Sequence, residues 1–120
     1  MNPNYVLLYV DNPALSAAFY ADLLALQPVE SSATFALFVL PSGLKLGLWS
    51  RHTVEPKALA SGGGSELAFS VGDRSVVNDM YADWSARGLA IAQRPVAMDF
   101  GYTFVAFDRD GHRLRVFVPE

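Results

Sequence analysis

The strand that closes this 120-residue sequence, Leu114-Arg115-Val116-Phe117-Val118, carries a permanent cation inside a run that otherwise reads as core. Period-2 geometry turns Arg113, Arg115 and Phe117 to one face of the strand and Leu114, Val116 and Val118 to the other. Arg115 therefore either points at water or lines a pocket. The same period puts Tyr5, Leu7 and Tyr9 on one face of a strand near the start, and Lys45, Gly47 and Trp49 on one face of another. Such a set suits recognition of a flat ring carrying an acid. The aromatic side chains offer surfaces for stacking, Gly47 leaves space beside the Trp49 indole, and a guanidinium takes a carboxylate through two parallel hydrogen bonds.

Other chemistries find little support. The chain has no cysteine, which removes disulfides, thiolate metal ligands and a thiol nucleophile. Its two histidines, His52 and His112, stand at no chelating spacing. Ser61-Gly62-Gly63-Gly64 lacks the Lys-Ser/Thr of a phosphate-binding loop and reads as linker. Nine scattered Lys and Arg in a chain of net charge -3 argue against a nucleic-acid partner. Residues Met1-Asn2-Pro3-Asn4 lack a basic leader region, and no run approaches the roughly 20 apolar residues of a membrane span. Cytoplasmic residence without a membrane partner is the expectation.

At 52% hydrophobic and 18% charged residues, the chain has ample material for a core. The elements that position the candidate residues are duplicated. "YVLLYVDNPALSAAFYADLL" matches "ELAFSVGDRSVVNDMYADWS" at an offset of 61, aligning Tyr20-Ala21-Asp22 with Tyr81-Ala82-Asp83. "FVLPSGLKLGLW" matches "AFDRDGHRLRVF" at an offset of 68, each a hairpin with a glycine in its turn. Each copy reads strand, helix, then hairpin. The first strand covers residues 5–10; the first helix follows with Leu15, Ala18, Phe19, Leu23 and Leu26 at helical spacing. Val76, Val77, Met80, Tyr81 and Trp84 do the same in a helix over residues 76–87, which Gly88 ends. The growth in offset puts seven extra residues in the stretch 92–102, expected to be a loop able to cover a pocket. One domain over residues 1–120 is expected, with repeat one at 4–50, a linker at 51–64 and repeat two at 65–120. Each small sheet alone would leave a face unburied, so the repeats should associate, within one chain or across a dimer, as a curved sheet of eight strands with helices outside.

This duplicated βαβββ plan resembles the vicinal oxygen chelate superfamily, which includes glyoxalase I, extradiol dioxygenases, fosfomycin-resistance enzymes and bleomycin-binding proteins. The resemblance spans nearly the whole chain. Its most specific marks are the Phe19-Tyr20 pair and Asp108-Arg109-Asp110-Gly111-His112, similar to the family's Asp-Pro-Asp-Gly turn with Arg109 in place of proline. The resemblance implies an α+β fold of two βαβββ repeats forming curved mixed sheets with helices outside, paired across a homodimer, and a ligand cavity on the inner sheet surfaces. In the family's enzymes, His, Gln or Glu from four strands hold a divalent metal there. Those four positions fall on Tyr5, Gly47, Glu66 and Arg115, of which only Glu66 keeps ordinary ligand chemistry.

The resemblance therefore implies no metal, no cofactor and no catalytic residues. "LGLWS", "FGYTFVAFDRDGHRLRV" and "DMYADWSARG" are further similar to the phenazine antibiotic-resistance proteins, metal-free members that bind and sequester a drug. The expected function is sequestration of a planar aromatic, acid-bearing antibiotic at two equivalent pockets of a homodimer. Trp49, Arg115, Glu66, Tyr5, Leu7, Tyr9, Gly47, Phe100 and Tyr102 are its candidate ligand-binding residues, with Glu66 orienting Arg115 or meeting the ligand. The alternative is a metal-dependent glyoxalase- or dioxygenase-type enzyme acting on a small metabolite.

Overall fold

A computed structural model describes residues 1–120, in which two compact units, Met1–Ser61 and Gly62–Glu120, repeat one element order. The first contains β1 (Tyr5–Val10), α1 (Pro13–Leu24), β2 (Glu30–Ser31), β3 (Phe35–Val39) and β4 (Lys45–Ser50). The second contains β5 (Glu66–Ser70), α2 (Arg74–Ala86), β6 (Ile91–Met98), β7 (Gly101–Phe107) and β8 (Arg113–Pro119). Strands run in the orders β1-β4-β3-β2 and β5-β8-β7-β6, so each sheet pairs its first and last strands in parallel and its other neighbours antiparallel. The fold is thus two βαβββ repeats. Their eight strands hydrogen-bond as two mixed sheets of four. The antiparallel hairpins turn on Gly43 and Gly111, whose positive φ of 93° and 81° a side chain would strain.

Asn12 and Asp73 start the helices by accepting, at 3.1 Å each, the amide N–H of Leu15 and Val76. Each helix lies on one face of its own sheet, α1 on β3 and β4, α2 on β7 and β8. Under α1 the buried strand residues are Leu8, Val10, Ala36, Phe38, Leu46 and Leu48; under α2 they are Phe104, Ala106, Leu114, Val116 and Val118. Trp84 belongs to this second core, edge-on to Phe69 and Phe104 at centroid distances of 6.0 and 5.4 Å. Helix α2 uses the apolar face read from its spacing. Helix α1 does not: it buries Pro13, Ser16, Ala17 and Tyr20, leaving Leu15 48% exposed. Its sequence, PALSAAFYADLL, is apolar on nearly every side, so periodicity leaves its rotation open. Neither helix is long and apolar enough to cross a membrane.

The seven extra residues of the second repeat form no loop. They lengthen the counterparts of two-residue β2 and five-residue β3 into eight-residue β6 and seven-residue β7, which join through Asp99 and Phe100 alone. Being the sheet edge, β6 tolerates Pro95 and two shifts of register on either side of Gln93. Gly101, at φ 154°, opens β7 with the Val118 carbonyl where its side chain would be. Gly101→Ala is expected to lower the unfolding free energy by about 1–3 kcal/mol in urea titrations, with the adjoining Phe100 displaced.

Candidate functional site

Pairing register places Tyr5 beside Lys45, Leu7 beside Gly47, and Tyr9 beside Trp49; Phe35, Leu37 and Val39 follow across β4. Alternation turns all nine away from the α1 core. This face is apolar and open, with Tyr5 49% and Leu7 44% exposed. Tyr5, Leu7, Phe35 and Trp49 line an open depression of about 490 Å³. Trp49 stands edge-on to Tyr9 and to Phe35, with centroids 6.5 and 6.3 Å away, which holds the indole upright between them. Gly47 leaves no gap beside the indole. A Cβ there would meet Leu7 Cδ2 at 2.6 Å and Phe35 Cζ at 3.0 Å, so those two side chains form the floor in its place.

In the second unit the corresponding face carries Glu66, Arg115, Phe117 and Thr103. Arg115 Nε and Nη2 donate to the two oxygens of Glu66 at 2.8 and 3.0 Å, and Nη1 donates to Thr103 Oγ1 at 3.1 Å. Thr103 in turn donates to the Val116 carbonyl at 2.9 Å. The pair is partly shielded from solvent, its side chains 17% and 29% exposed. The Arg115 hydrogen bonds, helped by the charges of Arg115 and Arg113 against partial desolvation, hold the Glu66 carboxyl below its ordinary range. Phe100 covers the cluster, 5.6 Å from the guanidinium and 5.9 Å from the Phe117 ring.

The first unit therefore brings together Tyr5, Leu7, Tyr9, Gly47 and Trp49, and the second Glu66, Arg115 and Phe100. Tyr102 goes elsewhere. It lies on the α2 side of β7, donates its hydroxyl to Asn78 Oδ1 at 2.8 Å and sits under Arg74, so it anchors helix to sheet. The expectation that it covers a pocket is corrected by that one-residue difference in alternation from Thr103. Sequence reasoning passed over Thr103 and Phe35. Both face their partners diagonally or across a strand, so only the pairing register brings them in. The available signal was the β3–β4 hairpin, which sets Phe35 beside Trp49.

The four positions that the family's enzymes give to a metal do not fit one here. Both oxygens of Glu66 are engaged by a cation, Gly47 is covered, and no group of three or more His, Cys, Asp or Glu comes together. His52 instead lies 2.7 Å from Asp11 Oδ1, an oxygen that also accepts from Arg51 at 3.3 Å. Both contacts hold the Asp11 carboxyl below its ordinary range, the His52 hydrogen bond most. A larger hollow of about 1180 Å³ is lined by one continuous stretch, residues 51–57. It is the inside of a loop and gathers no convergent groups from other elements.

The family described as Glyoxalase/Bleomycin resistance protein/Dioxygenase superfamily matches residues 2–116. The phenazine antibiotic resistance protein EhpR of Enterobacter agglomerans is 27% identical over 119 residues, covering 97% of this chain and 91% of its own length. Protein ATC0852 of Agrobacterium tumefaciens, solved by solution NMR, is 57% identical and aligns with a TM-score of 0.93 over 100% of this chain and 98% of its own. A glyoxalase-related enzyme from Fulvimarina pelagi shares the fold, with a TM-score of 0.85 at 20% identity over 98% of this chain and 88% of its own.

The Glu66–Arg115 pair gives a pH dependence of known sign. A carboxyl held low contributes stability above its ordinary value of 4.5 and loses it as pH falls through the folded-state value, which lies lower. Glu66→Gln should therefore destabilise the protein by about 1–2 kcal/mol at neutral pH. In urea titrations the difference from wild type should stay constant down to the ordinary carboxylate range and shrink below it.

Proposed function

Because the chain belongs to the glyoxalase/bleomycin resistance protein/dioxygenase superfamily, we propose that it acts within that family as a metal-free binder. Its role on this reading is to sequester a planar aromatic, acid-bearing antibiotic of the phenazine kind and so confer resistance. The observation that carries the proposal is the depression lined by Tyr5, Leu7, Phe35 and Trp49. About 490 Å³ falls in the range of roughly 300–1,000 Å³ typical of small-molecule sites, and its walls suit a ring system more than a polar metabolite. Trp49, kept upright by its two aromatic neighbours, supplies the stacking surface, and Leu7 and Phe35 supply the floor. Tyr9 acts through Trp49.

The engagement of Glu66 by Arg115 supports the metal-free part of the reading: a divalent cation would have to displace a guanidinium and then sit beside it. The phenazine-resistance relative, similar along almost the full length of both chains, supports the ligand class. We place the protein in the cytoplasm as a homodimer with two equivalent sites, and light scattering at micromolar concentration should give twice the chain mass.

The direct test is titration with phenazine-1-carboxylate followed by tryptophan fluorescence, with divalent zinc, nickel and manganese run in parallel. Saturable quenching without metal is the expected result. Trp49→Ala should weaken binding at least tenfold by calorimetry, and cells expressing this variant should tolerate less phenazine than cells expressing the wild type. A metal-induced rise in melting temperature with no response to the aromatic acid would overturn the proposal in favour of a metal-dependent enzyme.

A further inference from the structure

The open face of the first sheet carries one cation among its strand residues. Lys45 sits at the end of β4, beside Tyr5 on β1 and Val39 on β3. Its ammonium lies 5.1 Å from the centre of the Tyr5 ring, which itself lines the depression. The ammonium has no carboxylate partner: the ion pairs of this unit join Arg51 and His52 to Asp11. A cation–π contact holds an ammonium in place while leaving its charge unneutralised and its three donors available. The one acid on this sheet face, Glu30, stands on the edge strand β2, beyond Leu37 and Gly47 from β1.

The guanidinium of Arg115, by contrast, is already satisfied. All three of its nitrogens donate, two to Glu66 and one to Thr103. Taking a ligand acid there would require the Glu66 pair to open, exchanging two charge-assisted hydrogen bonds for the ligand's and setting a second carboxylate beside Glu66.

We propose that Lys45, not Arg115, is the residue that recognises the acid of a ligand bound at the Tyr5–Leu7–Phe35–Trp49 depression. The assignment rests on the aromatic-binding reading given above and adds its charge specificity. Lys45 and Trp49 are four residues apart on one strand, about 13 Å, so a fused-ring compound lying along β4 meets the indole with its ring and the ammonium with its acid. A lysine suits this role because a point charge on a flexible stem accepts an acid at several ring positions, whereas a guanidinium fork demands one geometry. Binding should weaken with salt, since the ammonium remains near solvent.

The test compares two probes that differ only in charge, phenazine-1-carboxylate and phenazine-1-carboxamide, by calorimetry at low salt. In Lys45→Met, affinity for the carboxylate is expected to fall about fivefold or more, while that for the amide stays within about twofold of wild type. Lys45→Arg should keep most of the preference for the acid. Equal carboxylate affinity in Lys45→Met and wild type overturns the assignment, as does an equal loss for both probes. A wild-type protein that binds neither probe overturns the aromatic-binding reading itself, and this assignment with it.

Discussion

Each repeat has one helix for a sheet with two faces, and that shortage governs everything chemical about the molecule. The helix covers one face and supplies the core; within its own unit the other face has no helix over it. The helix carries the chain from the first strand to the far edge of the sheet, and two antiparallel steps return it to pair the last strand in parallel with the first, bringing residues from opposite ends of the repeat onto this second face. Tyr5 therefore meets Lys45 across 40 positions of sequence, and Glu66 meets Arg113 and Arg115 across nearly 50. The site chemistry is a product of this topology, since none of these residues is near its partner in the chain.

Alternation within strands was legible because a strand's two faces differ in burial, and a period of two leaves no freedom once one face is known. Tyr5, Leu7 and Tyr9 thus share one strand face, as do Lys45, Gly47 and Trp49, and the register sets the two rows side by side. The hairpins were legible too, and their glycines stand at positive φ. The helices divide by composition. In α2 polar residues mark the outer side, and Val77 and Trp84 are buried as read; in α1 too few polar residues exist to fix its rotation. The growth in repeat offset suggests an inserted loop at 92–102, but extra residues can equally lengthen an edge strand, which has a side where the missing N–H of Pro95 is harmless.

What the sequence could not reveal was which groups satisfy one another. Glu66 is expected beside Arg115, yet the sequence leaves open whether the guanidinium keeps a donor for a ligand; both Glu66 oxygens and Thr103 take its three nitrogens. Likewise Gly47 suggested empty space, yet a missing side chain in a sheet is an invitation to its neighbours. Leu7 and Phe35 lean into it because apolar atoms gain contact there that water would not give.

The two repeats show how one framework carries different chemistry at matching positions. Adding the repeat offsets, Tyr5, Phe35, Lys45, Gly47 and Trp49 correspond to Glu66, Thr103, Arg113, Arg115 and Phe117, and the pairing registers agree position for position. Where the first repeat holds a glycine covered by two apolar side chains, the second holds an arginine tied to an acid and a hydroxyl. In the first, an exposed apolar surface is left with one unneutralised cation at its rim; in the second, Arg115 and Glu66 neutralise each other beneath Phe100, with Arg113 at the strand end. Partial shielding of a charge favours a hydrogen-bonded partner, which Glu66 and Thr103 give Arg115 in the second repeat. The first repeat has no buried charge to satisfy, and its face remains available for a ring.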